Sequence, residues 1–130
     1  MASALYPKFK EALLSGGINM ASDTIKCILI DAADYTYSVS HQYLSDVASA
    51  ARVGTAQTLT NKSITNGVFD ADDVTFTSVT GDPTEALIIW KDTDVESTSP
   101  LIAYIEGSII LNGGDITVQW DSGASKIFAL

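Results

Sequence analysis

At 130 residues, with 46% hydrophobic and 18% charged side chains, the chain fits one domain with a buried core and is not the composition of a disordered one. Seven basic residues against sixteen acidic ones leave a formal net charge of −9, which argues against nucleic acid and anionic membrane as partners, since both require cationic contact groups. The lone Cys27 excludes an intrachain disulfide, and its setting in Thr24-Ile25-Lys26-Cys27-Ile28-Leu29-Ile30 predicts a buried, inert thiol.

The N-terminus shows no charged start followed by a long apolar run, so synthesis and folding in the cytoplasm are expected. Residues 2–15 are expected to form a helix or arm. Within them Leu5, Phe9, Ala12 and Leu13 build one apolar face over 4–15, Pro7 suits a first turn, and Gly16-Gly17 stops the helix. So short a helix is marginal alone and needs a docking surface. Residues 24–31 form the first predicted strand, and the unbroken Ile28-Leu29-Ile30 predicts burial on both of its faces.

Residues 32–53 lack a clear period. Asp34, Tyr35, Tyr37 and His41 stand in a Ser-rich stretch, and Tyr43 to Val47 fit a short helical turn. A structureless run of this length is either functional or ordered by a partner, so subunit contacts are expected here and on the N-terminal arm. The interface candidates are Leu5, Tyr6, Phe9, Leu13, Tyr35, Tyr37 and Tyr43.

From residue 53 the pattern is strand, turn, strand: 53–59, 62–69, 73–80, 85–92, 100–106, 115–120 and 126–129. The turn signals are Thr60-Asn61, Asp70-Ala71-Asp72, Gly81-Asp82-Pro83, Asp94 to Ser99, Asn112-Gly113-Gly114 and Asp121-Ser122-Gly123. Val74 and Phe76, like Ile116, Val118 and Trp120, alternate with polar residues, as in half-buried strands. The predicted fold is therefore mainly β: one domain over 1–130, with an antiparallel β-sandwich or barrel, jelly-roll-like or Ig-like, over 24–130, interrupted by the excursion at 32–53.

Chemistry is sparse. Any catalytic triad would need His41, the only histidine, and no Gly-x-Ser-x-Gly elbow accompanies it, so a turn histidine is expected and no catalytic residue is assigned. One Cys and one His do not make a typical zinc site. The best oxygen-ligand set for Mg²⁺ or Ca²⁺ is Asp70, Asp72 and Asp73, whose plainer reading is a solvated hairpin turn. Asp92, Asp94 and Glu96 read as a solvated loop rather than a glycosidase pair, with Trp90 and Trp120 as core or interface anchors. No cofactor is expected.

Several segments together resemble a family of small structural proteins from tailed bacteriophages. They are Ala4-Leu5-Tyr6-Pro7-Lys8-Phe9-Lys10-Glu11-Ala12-Leu13-Leu14, Leu29-Ile30-Asp31-Ala32-Ala33-Asp34-Tyr35-Thr36-Tyr37 and Gly67-Val68-Phe69-Asp70-Ala71-Asp72-Asp73-Val74-Thr75-Phe76. Glu85-Ala86-Leu87-Ile88-Ile89-Trp90-Lys91-Asp92-Thr93, Ser99-Pro100-Leu101-Ile102-Ala103-Tyr104-Ile105, Asn112-Gly113-Gly114-Asp115-Ile116-Thr117-Val118 and Ile127-Phe128 complete the resemblance, which spans nearly the whole chain. It implies a virion component on the capsid exterior, a decoration or cement protein contacting the major capsid protein or other virion proteins. A homo-oligomer, with a trimer favoured, suits that role, because closure makes attachment multivalent. A tail, adaptor or fibre-base part is the alternative, and a carbohydrate- or receptor-binding module a further one.

Overall fold

A computed structural model describes residues 4–81, 83–109, 113–120 and 127–129. The described chain is mainly β, antiparallel and sandwich-like, with one α-helix. In chain order the elements are β1 (Ala4–Leu5), α1 (Pro7–Leu14), β2 (Ile25–Ile30), β3 (Arg52–Thr58), β4 (Ser63–Thr65), β5 (Val68–Asp70) and β6 (Val74–Phe76), followed by β7 (Thr84–Lys91), β8 (Leu101–Ile109), β9 (Ile116–Val118) and β10 (Phe128–Ala129). A five-stranded sheet runs β1-β8-β7-β2-β3, and two small sheets run β10-β5-β4 and β6-β9.

The large sheet is the frame. Its middle strands β2 and β7 are apolar nearly end to end and buried on both faces, as Ile28-Leu29-Ile30 predicts. Register partners in an antiparallel ladder share a face. Ile28, Ile88 and Tyr104 therefore line one face, and Cys27, Ile89, Ala103 and Leu5 the other. Burial raises the Cys27 thiol to a pKa of about 12, so it stays protonated and unreactive at neutral pH.

The N-terminal element differs from the expectation of a helix over 4–15. Ala4 and Leu5 pair with Tyr104 and Ala103 as an edge strand, and the helix starts only at Pro7. The cause is local: a residue before proline is pushed out of the helical region, and Tyr6 sits at φ −74°, ψ 132°. At the other end Gly16, at φ 83°, allows the chain to reverse, and the amides of Gly16 and Gly17 donate to the carbonyls of Leu13 and Ala12.

A second difference lies at 62–69, expected as one strand. The chain turns at Asn66 (φ 52°) and Gly67 (φ 77°), so β4 and β5 form a two-residue hairpin with Thr65 opposite Val68. Positive φ at both central residues is the turn geometry that Asn-Gly favours. The expected strand at 73–80 shortens to β6, ended by Ser78 at φ 49°, and 115–120 shortens to β9, leaving half-buried Trp120 beyond its end. Asp82, Asn112, the Asp121-Ser122-Gly123 turn, Ala2 and Ser3 of the arm, and Lys126 lie outside the described residues.

The excursion between β2 and β3 is tied to its own sheet. The Tyr6 and Tyr35 hydroxyls hydrogen-bond at 2.7 Å, the Tyr35 hydroxyl and His41 Nδ1 at 2.8 Å, and the Tyr37 hydroxyl donates to the Leu5 carbonyl at 3.0 Å. The Tyr35 and Tyr37 rings lie 6.0 and 5.9 Å from Tyr104. Arg52 then closes the excursion by donating to the carbonyls of Leu44 and Val47 at 3.1 and 2.6 Å and pairing with Glu96 at 2.8 Å.

Asp46 organises the short turn Leu44–Asp46: its Oδ2 accepts from the Gln42 and Tyr43 amides at 2.8 and 3.1 Å. Those amides, Gln42's first, hold its carboxyl below the ordinary aspartate value. A carboxylate with a depressed folded pKa contributes stability that is present above the unfolded value of about 3.9 and is lost as pH falls through the lower folded one. The Asp46→Asn variant is therefore expected to lose less stability than the wild type between neutral pH and pH values below that range. Urea melts at stepped pH read the difference.

Candidate functional site

The interface candidates from the sequence are mostly spent inside the fold. Tyr6 and Phe9 are fully buried and Tyr35 nearly so. Leu5, Leu13 and Tyr37 pack against the same core, and Tyr43 is half-buried against Pro100. Burial takes Tyr6, Phe9 and Tyr35 out of the set of surface contacts, whereas Leu5, Leu13, Tyr37 and Tyr43 keep part of their surface exposed. The apolar face of α1 docks on β8 and meets the small sheet, where Phe9 stands edge-on to Phe128 at 5.7 Å and Phe128 stacks on Phe69 at 5.2 Å.

The aspartates proposed as cation ligands do not form a site. Asp72 accepts from the Asn61 side-chain amide, and Asp73 accepts from the Trp120 backbone amide at 3.1 Å. Among the described residues no group of three or more His, Cys, Asp or Glu side chains has the arrangement to hold a metal. The expected hairpin turn at Asp70-Ala71-Asp72-Asp73 is corrected: Asp70 ends β5, and Asp72 and Asp73 lie in the irregular link to β6, which belongs to a different sheet, and each serves a separate local contact. His41 sits in a turn, its amide donating to the Ser38 carbonyl at 3.1 Å, and its ring is engaged by Tyr35.

What remains is an apolar groove. It encloses about 370 Å³ and lies between the end of α1, the loop after it, and the β10-β5-β4 sheet. Leu13, Ile18, Met20, Ile64, Phe69 and Phe128 supply its apolar lining. Ile64 is 51% exposed at the centre of β4, an edge strand whose three residues carry no charge. Natural edges deter pairing by being very short or by carrying a charge, a proline or a bulge, and β4 relies on its three-residue length alone.

The wall formed by residues 17–23 is fastened in place. Lys91 donates to the Gly17 carbonyl at 3.0 Å and pairs with Asp23 at 3.1 Å, while Lys62 donates to the Asp23 carbonyl. Asn19 Oδ1 accepts from the Ala21 and Ser22 amides at 3.0 and 3.2 Å. A groove held this way is preorganised, so an apolar side chain entering it meets little ordering cost.

The groove was not legible in the sequence. Its lining comes from three remote stretches of chain, and the 62–69 strand reading hid the hairpin that presents Ile64. The Asn66-Gly67 pair was the signal that would have found it. No model of a known protein family matches the chain, and no curated protein is significantly similar to it. Among the described residues no helix is long and apolar enough to cross a membrane.

Proposed function

We propose that the protein is a structural subunit of a bacteriophage virion, acting as a capsid decoration or cement protein that binds at seams between capsomers and stabilises the mature head. The observation that carries this reading is the preformed apolar groove with Ile64 exposed at its rim. A rigid β domain with a ready apolar recess suits a part that works by shape. Its anchors are buried aromatic and aliphatic contacts of the kind that dominate interface energies. The occupant is an apolar side chain of the major capsid protein. Closure of the protein into a trimer would repeat that weak contact around an axis and slow release. The acidic balance of the chain keeps it off packaged nucleic acid. The glycan-module alternative loses Trp90 as a platform, since that ring is buried.

Density of the whole particle and mass spectrometry of purified heads and tails test the assignment. Copies on the outer face of expanded heads are expected, and heads lacking the protein should lose their contents at lower temperature. Copies confined to tails, or none in particles, would overturn it. Ile64→Lys is expected to abolish rebinding to stripped heads while leaving the melting curve close to wild type, because a half-exposed side chain contributes little to the fold. Sedimentation of the variant shows whether self-assembly is lost with it, the result expected if a second copy rather than the shell fills the groove.

A further inference from the structure

Asn66 and Gly67 occupy the exposed tip of the β4-β5 hairpin, at the rim of the groove, and Gly67 contributes to its lining. The three described asparagines differ in how their side chains are held. Asn19 Oδ1 accepts two backbone amides, and the Asn61 amide donates to Asp72. The Asn66 side chain has no hydrogen-bond partner among the described residues, and neither has the Gly67 N–H. Asn66 is also the one of the three followed by glycine, whose missing side chain leaves the backbone nitrogen unshielded.

We infer that Asn66 is a site of spontaneous deamidation, and that its conversion places a carboxylate beside the apolar groove. The chemistry is an intramolecular acyl transfer, favoured because nucleophile and amide are neighbours in one chain. The Gly67 backbone nitrogen gives up its proton to solvent and bonds to Asn66 Cγ. The bond from Cγ to the side-chain nitrogen breaks, and that nitrogen leaves as ammonia with a proton from solvent. A five-membered cyclic imide remains. Water then adds to one of its two carbonyls. Opening at Cγ gives aspartate, and opening at the backbone carbonyl gives isoaspartate, in which the chain runs through the former side chain. The balance is amide plus water to carboxylic acid plus ammonia, with no redox partner.

Either product puts a negative charge two residues from Ile64. Isoaspartate also adds a carbon to the backbone of a two-residue turn, which the Thr65–Val68 register does not accommodate. The groove would thus age. The inference is independent of the virion role, because it needs only the turn and its free amide.

The full-length protein is held in warm, mildly alkaline buffer and sampled over time. Peptide mapping by mass spectrometry and enzymatic methyl labelling of isoaspartate follow each asparagine separately. The Asn66 peptide is expected to convert ahead of the Asn19 and Asn61 peptides. Asn66→Gly keeps a turn residue that accepts positive φ and removes the amide, so it should lose that share of the isoaspartate signal while keeping the wild-type melting curve. Two results would overturn the inference: Asn19 or Asn61 converting first, or Asn66 staying intact in the folded protein while the same peptide converts in a urea-unfolded sample run in parallel.

Discussion

Phe9→Ala is expected to lower the unfolding free energy by about 3–5 kcal/mol, the usual loss for a fully buried phenylalanine. Phe9 has no exposure and is the only buried residue within α1. Its ring joins three elements, since α1 meets β10 through the Phe9–Phe128 contact and β10 meets β5 through the Phe128–Phe69 stack. A helix of eight residues does not hold its shape in water without such docking. The variant therefore loses the ring, the packing of Phe128 and one wall of the groove together. A denaturant melt of the isolated protein reads the loss.

The same experiment separates two roles for the N-terminal segment. An arm that reaches into a neighbouring subunit would leave the isolated domain nearly as stable without Phe9, and only assembly would suffer. The geometry expects the opposite order, with the isolated domain weakened first. Truncating residues 2–12 removes Tyr6 as well, and with it the hydroxyl contact at 2.7 Å that ties the excursion to the sheet through Tyr35. Loss of the fold in that truncation would say nothing about assembly, whereas the point variant does.

Much of the architecture was legible because the large sheet writes its burial directly into the chain. Ile25–Ile30 and Thr84–Lys91 are apolar runs of strand length, and such runs have few other places to go than the middle of a sheet. Phe9 was legible as one residue of an apolar helix face in need of a docking surface. Leu5, grouped with it by spacing, was not, because the backbone preference imposed by Pro7 outranks the periodicity and sends Ala4 and Leu5 into a strand. Tyr6 is separated in sequence from Tyr35 and His41 by the whole of α1 and β2. Their hydrogen-bonded chain depends on which face of the sheet the excursion crosses, and no local pattern encodes that. For the same reason tyrosines that look like contact residues in a Ser-rich stretch turn out to be fasteners. The groove is harder still, since it exists only where α1 and a small sheet fail to close completely over Phe69 and Phe128.

Trp90→Ala is expected to cost about 3–5 kcal/mol as well, and its comparison with Trp90→Phe carries more information than either value alone. Trp90 is 3% exposed, opposite Lys26 on β2 and Leu101 on β8. Its indole nitrogen is buried and faces the Asp92 carboxylate without a hydrogen bond of ordinary geometry. A donor buried without an acceptor costs about 1–3 kcal/mol. Phenylalanine discards that donor while keeping an aromatic ring in place, so the lost area is offset and Trp90→Phe should fall far below the alanine variant. A substantial loss in Trp90→Phe relative to the wild type would mean that the N–H is paired, with the Asp92 carboxylate as its acceptor. Because the chain holds two tryptophans, Trp90→Phe also isolates the fluorescence of half-buried Trp120, whose indole nitrogen donates to the Asp72 carbonyl at 2.9 Å. A saccharide that shifted that emission would revive a glycan-binding surface next to β6 and β9. An unchanged spectrum across a saccharide panel, with rebinding to stripped heads intact, is the outcome expected of a subunit that works through its groove.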